Sequence, residues 1–209
     1  MKVTFSGVDR DEIQEAACIC SRALSDNPFV TAFFPDREER DKVLSSMFYR
    51  LWLTCFKRIH FIAARVDGKM AGVALFESPG LRKPSSLKFM LHGWSKLYRM
   101  TDRKRIDDYL AMQEIAFTPC QDYHLSGHGF WFCSSLFVDP EYQHKGIGSQ
   151  LIYLMGDYIR MKGGKQLILT ANTDTDLHFC QKRGFEVFHE RELSYEDTKT
   201  VFRSLKKLL

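Results

Sequence analysis

The segment Val138–Gln150 reads VDPEYQHKGIGSQ and combines a proline turn, a basic pair and two spaced glycines. It separates an apolar run from an apolar-periodic segment, so it opens a helix. The first backbone N–H groups of a helix lack intrahelical acceptors, and that end carries partial positive charge. Glycines at 146 and 148 let a ligand approach this backbone with no Cβ in the way. His144 and Lys145 add side-chain donors. The chemistry such a set suits is the holding of a pyrophosphate; the plainer use of the same residues is a turn. Two familiar phosphate motifs are absent. No GxxxxGK[ST] run occurs, and Gly146-Ile147-Gly148 is followed by no third glycine at GxGxxG spacing.

Composition narrows the class of partner. The chain of 209 residues is 44% hydrophobic and 27% charged, with net charge +4. That is enough apolar material for a substantial core. Its densest basic groups, Arg103-Lys104-Arg105 and Lys206-Lys207, are short and read as solvated surface, not as a nucleic-acid face. The six cysteines, Cys18, Cys20, Cys55, Cys120, Cys133 and Cys180, form no CxxC pair, so no metal site is expected. Asp9-Arg10-Asp11-Glu12 follows the start too closely for a secretory leader, and no apolar run approaches the roughly 20 residues of a membrane span. The expected setting is the reducing cytoplasm, with free thiols and no membrane partner.

The neighbours of the glycine loop sharpen this picture. Gln143-His144-Lys145-Gly146-Ile147-Gly148 resembles the Q/R-x-x-G-x-G/A motif of the GNAT superfamily of N-acetyltransferases. The preceding Leu136-Phe137-Val138-Asp139-Pro140-Glu141-Tyr142 resembles that family's L-x-V-x-P-x-Y lead-in. Phe179-Cys180-Gln181-Lys182-Arg183-Gly184-Phe185-Glu186 resembles its F-Y-x-K-x-G-F-E segment. The specific resemblance spans roughly residues 130 to 190.

The resemblance implies an acetyl-CoA-dependent N-acyltransferase, with acetyl-CoA as co-substrate and no metal. It implies that backbone groups of Leu136, Phe137 and Val138 pair with the pantetheine arm. Gln143, His144, Lys145, Gly146, Ile147, Gly148 and Ser149 would hold the pyrophosphate, with Asn172 and Phe179 as further contacts. The Val138 N–H would stabilise the oxygen of a tetrahedral intermediate. The family's usual thiolate-protonating tyrosine falls at Cys180, which either acts as the acid or only packs as a small apolar side chain. If it packs, Tyr123, Tyr142 and Tyr195 are alternative acids, or none is needed. The usual cofactor-contacting asparagine would fall nearer Thr173 than Asn172. The base that deprotonates the amine is open among Glu77, Glu114, His124 and His128. A small-molecule amine is the expected acceptor, bound among the Phe29–Phe34 loop, the Trp94 helix and the region before Phe130. Protein or peptide acetylation and a non-catalytic CoA-binding module are the alternatives. Family members often dimerise, so a homodimer belongs to the expectation.

These groups need elements to position them. Val3-Thr4-Phe5 reads as a strand and 11–24 as a helix. Residues 27–36 read as a loop rich in phenylalanine, whose aromatics either cover a pocket or pack in the core. A second helix spans 37–56. Residues 60–78 form two β-rich runs around Asp67-Gly68, a hairpin signal. Leu87, Met90, Leu91, Trp94, Leu97 and Tyr98 have helical spacing, and another helix runs from about 101 to 117. A buried strand from Phe130, a helix 146–161, a strand 165–171, a short helix 174–183 and a strand from Phe185 follow. The last fifteen residues read as a strand around 200–203 or a helix. The order predicts an α/β (α+β) fold in one domain over 1–209, a mixed sheet of about six to seven strands flanked by helices. By the resemblance, its central parallel pair is splayed.

Overall fold

The computed structural model describes residues 2–81, 91–127 and 129–209. Leu87 and Met90 of the expected helix, and the candidate base His128, lie outside them. Seven strands form one mixed sheet in the order β1-β2-β3-β4-β5-β7-β6. They are β1 (Val3–Ser6), β2 (His60–Val66), β3 (Lys69–Glu77), β4 (Phe130–Val138), β5 (Gln166–Ala171), β6 (Glu186–Tyr195) and β7 (Thr198–Leu208). The hairpin β2–β3 turns at Asp67 (φ 49°) and Gly68 (φ 88°), the two positive φ values that a tight primed turn requires. β4 and β5 are parallel; every other neighbouring pair is antiparallel.

Alternating strand residues feed two large cores, with a small third cluster of Cys120, Phe132 and Ile168. Val73 and Leu75 of β3 pack beneath α1 (Ile13–Leu24), α2 (Pro28–Phe33), α3 (Arg37–Cys55) and α4 (Arg103–Leu125). Ala74 and Phe76 pack on the opposite face against α5 (Ile147–Met161) and the end of α6 (Asp174–Gln181). The amphipathic periodicities of α1 and α5 place their stripes on these cores: Ile13, Ala16, Ala17 and Cys20 from one, Ile147, Leu151, Met155 and Ile159 from the other.

Three elements differ from the sequence reading, and in a fourth, the carboxy-terminal segment, the structure takes the strand of the two alternatives. The loop 27–36 contains the helix α2, because Asn27 caps it through its side-chain oxygen (Phe29 N–H, 3.1 Å) and Pro28 supplies a preset φ at its first turn. Its aromatics are core residues: Phe29, Phe33 and Phe34 are at most 3% exposed and surround Tyr109 with ring centroids 5.4–5.5 Å away. The stretch Trp94–Arg99 is a 3₁₀ turn. α4 continues to Leu125, through Pro119. A proline leaves the carbonyl four residues earlier without its helical donor, and Arg191 of β6 supplies one, its Nη1 donating to Ile115 O at 3.2 Å. The carboxy-terminal segment is the longest strand, β7, since it has β5 on one side and β6 on the other to satisfy it.

Tyr109 ties α4 to α2, and its hydroxyl accepts from Gln113 Nε2 at 2.7 Å. Tyr109→Ala should therefore lose about 3–5 kcal/mol, whereas Tyr109→Phe, which keeps the ring, should lose about 1 kcal/mol. Denaturant titration of the two variants checks this ratio.

Candidate functional site

β4 and β5 pair for only three residues, Phe130 with Gln166, Trp131 with Leu167 and Phe132 with Ile168. Beyond them the strands part. A register shift in the β3–β4 ladder leaves Ser134 as an extra residue, since Leu75 faces Ser135 and Phe76 faces Cys133. Such a bulge bends and twists its strand. The Asp139 N–H donates to Ala71 O (2.9 Å), which sets the phase of the ladder. Counting back by twos, the backbone groups of Leu136 and Val138 point into the gap between β4 and β5, and those of Phe137 point at β3. The Phe137 ring packs in the first core, 5.7 Å from Phe48. The Gln143 side chain reaches Val138 O at 3.1 Å.

At the mouth of the gap stands the start of α5. Gly146 is its N-cap with φ 82°, and an added Cβ there would meet nothing within 4 Å. The first intrahelical bond is Gln150 N–H to Gly146 O (3.1 Å). The N–H groups of Ile147, Gly148 and Ser149 precede it and have no acceptor within the helix. The Ile147 side chain is buried, so its contribution to the site is backbone alone. Gly148 has a different reason from Gly146: a Cβ would come within 3.1 Å of Phe179 Cζ, so its space is taken by that ring. His144 is exposed at φ 59°. The Lys145 ammonium folds back onto Glu141 O (2.7 Å) and the Tyr142 ring (5.0 Å).

Two contacts from elsewhere complete the mouth. Asp139, 5% exposed, caps the turn Pro140–Tyr142 through Glu141 N–H (3.1 Å) and takes an ion pair from Arg22 of α1 (Nε at 2.9 Å). Asn172, at the end of β5, exchanges amide hydrogen bonds with Asn27 before α2, at 3.1 and 3.3 Å. Thr173 caps α6 with its hydroxyl.

Arg183 is the residue that motif reading passed over. Its guanidinium stacks on Phe179 at 3.6 Å, its Nη1 donates to Phe179 O, at 2.5 Å, and its Nε (3.1 Å) and Nη2 both donate to Ser149 Oγ. It sits inside the quoted segment, but its partner Ser149 is 34 positions earlier, so only the tertiary fold brings the charge to the helix start.

The candidate acids and bases are dispersed. Cys180 is 4% exposed in the second core. Burial pushes its thiol up to about 12, with Asp176 adding to the rise and Arg183 opposing it. A thiol held there is a poor acid toward a thiolate of ordinary basicity, so the geometry favours packing. Cys133 is likewise pushed up to about 12, first by burial, with Cys180 and Glu77 raising it further and its bond to Ser135 O opposing them. Tyr123 donates to Gln166 at the far end of the parallel pair (3.0 Å) and Tyr195 stacks on Phe33 (3.8 Å). Tyr142 lies at the loop itself. Glu77 ends β3 opposite Phe132, where β4 and β5 begin to part. Glu114 is exposed on α4. His124 is 3% exposed; burial lowers its pKa, and the nearby carbonyls of Phe130 and Ser78 act against that fall.

Comparison with known proteins bears on the fold. Residues 107–187 match the family model described as Acetyltransferase (GNAT) domain. No curated protein sequence matches the chain. Among solved structures, a histone acetyltransferase and related acetyltransferase from Corynebacterium glutamicum superposes with TM-score 0.65 at 15% identity, covering 99% of this chain and 96% of that one. The PaiA N-acetyltransferase from Thermoplasma acidophilum, in complex with coenzyme A, gives 0.56 at 13% identity over 100% of both chains. A ribosomal-protein alanine N-acetyltransferase from Escherichia coli gives 0.58 at 15% identity, over 99% and 94%. The chain has the mixed α/β fold of these acetyltransferases.

With thiols near 12, about one Cys180 or Cys133 in ten thousand is thiolate at pH 8. Alkylation of the folded protein at that pH should spare both and proceed at the half-buried Cys18 and Cys55, as peptide mapping by mass spectrometry would show.

Proposed function

We propose that this chain, with a GNAT acetyltransferase domain matched over residues 107–187 and the fold of such enzymes around it, transfers an acetyl group from acetyl-CoA directly to an amine. The observation that carries the reading is the gap between β4 and β5 opening onto the free N–H groups at the start of α5. The pyrophosphate binds those N–H groups. The pantetheine arm takes the place of the missing strand, its amides pairing with the gap-facing backbone of Leu136 and Val138. The Asn27–Asn172 amide pair has the same donor and acceptor chemistry as that arm. The thioester then lies farther along β4 toward the bulge at Ser134, where the gap-facing N–H of Leu136, closer to it than that of Val138, polarises the carbonyl.

Glu77 is the general base in this reading. It ends the strand beside β4 where the gap begins, and its charge is felt at Cys133. The amine attacks the thioester carbonyl, its proton passes to the Glu77 carboxylate directly or through one water, and the tetrahedral adduct collapses with loss of the CoA thiolate. Cys180 packs and takes no part. The acceptor is a small amine: the Asn27–Asn172 bridge closes one approach to the gap, which disfavours a peptide laid across it. Phe29, Phe33 and Phe34 are filled core and do not bind it. The chain acts in the cytoplasm.

Acetyl-CoA should raise the melting temperature by mass action while ATP and NAD do not; no shift at millimolar acetyl-CoA would remove the basis of the proposal. In an amine panel followed by thiol release, Glu77→Gln should lower kcat by about a hundredfold or more with acetyl-CoA binding unchanged. Cys180→Ala should keep kcat within a few-fold, and a large loss there would return the acid role to the thiol.

A further inference from the structure

We infer that Arg183 is a phosphate ligand of the coenzyme seat, a fixed cation that the glycine loop alone does not supply. The inference rests on the proposed CoA site and goes beyond it in assigning a binding residue outside the loop and a source for the seat's net positive charge.

The geometry is specific. A guanidinium has five N–H donors in one plane. Three are used, two on Ser149 Oγ and one on Phe179 O, which leaves two on the edge of the fork. Its central carbon lies over the Phe179 ring, 3.6 Å from the centroid, and that ring in turn fills the space left by Gly148. Stacking fixes the direction of the fork and lowers the conformational entropy lost on binding. The guanidinium is thus held beside Gly148 and Ser149, whose backbone N–H groups are two of the three that precede the first bond of α5.

The loop's own cations are placed less well for this task. Lys145 is folded onto Glu141 O, and His144 is exposed on a left-handed backbone turn. Asp139, the carboxylate beneath the loop, is matched by Arg22. Arg183 therefore adds to the seat a positive charge that is held in place beside the helix start. Its present acceptor, a serine hydroxyl, is neutral. A phosphate oxygen offers charge-assisted bonds roughly twice as strong, in the bidentate form that a guanidinium favours. An arriving phosphate exchanges for Ser149 Oγ on one edge of the fork, while the bond to Phe179 O and the stack keep the side chain in place. Two phosphates of CoA present this chemistry, the pyrophosphate and the ribose phosphate.

The test is calorimetric titration of wild type, Arg183→Gln and Arg183→Lys with coenzyme A and with dephospho-coenzyme A, which lacks the ribose phosphate, at low and high ionic strength. Arg183→Gln should weaken coenzyme A binding about tenfold or more and flatten its salt dependence, and Arg183→Lys should recover part of both. A loss that persists with dephospho-coenzyme A assigns the pyrophosphate as the partner; a loss that vanishes assigns the ribose phosphate. If wild type binds and Arg183→Gln binds equally well with the same salt dependence, Arg183 is only a brace and the CoA reading survives without it. If wild type binds neither ligand, both fall together. Should Arg183→Gln melt low, Ser149→Ala answers the question from the other side, since it removes the brace and keeps the cation. Undiminished salt dependence then supports the ligand role, and a flattened one overturns it.

Discussion

Everything at the site depends on β4 and β5 ceasing to pair after three residues. A parallel pair in the middle of a sheet would ordinarily satisfy its backbone along its full length. Here β5 is committed to β7 from Gln166 to Ala171, and β4 is committed to β3 across a bulge at Ser134 that turns it aside. The polar groups of Leu136 and Val138 then face a slot with no strand in it. An extended ligand with amides of its own is the natural complement to such an edge, as in β-augmentation. The slot is a feature of the sheet's hydrogen bonding, so it needs no cavity lined by special side chains.

The second requirement is electrostatic. The turn after β4 contains a buried carboxylate, Asp139, next to a place that must receive an anion. Its charge is matched by Arg22 from α1, a residue 117 positions away. With that charge matched, the N–H groups of α5 and the Arg183 guanidinium define a positive end to the slot. The Asn27–Asn172 amide pair ties the segment before α2 to the end of β5. The amino-terminal half of the chain, which carries none of the recognisable motifs, thus supplies both groups that shape the mouth of the site.

Local signals made much of the frame legible. Asp67-Gly68 set the β2–β3 hairpin, because a turn needing two positive φ values admits few dipeptides. Pro140 and Gly146 marked the end of β4 and the start of α5, because one cannot continue a ladder and the other tolerates a left-handed cap. The helical spacing of Ile147, Leu151 and Met155 puts them on one face of α5, the buried one. The reading failed where a distant partner reversed a local preference. Pro119 is a helix breaker by its own chemistry, yet α4 runs through it, since Arg191 on β6 replaces the missing donor to Ile115. The final segment was ambiguous between strand and helix until β5 and β6 flanked it.

By itself, then, the sequence determined most of the order of elements, the mixed α/β class and the position of the glycine turn that opens α5, because each follows from backbone preferences within a few residues. It put both glycines at the start of α5 for one reason, ligand approach; the structure adds a left-handed cap at Gly146 and, at Gly148, the ring of Phe179 in the space a Cβ would take. Only the tertiary structure decided that the phenylalanines of α2 are core and not pocket, that the Cys180 thiol is buried and pushed up by that burial, and that Arg183 stands beside Ser149. Burial, proton affinity and charge pairing depend on what surrounds a group in space, and those surroundings come from residues tens of positions away along the chain.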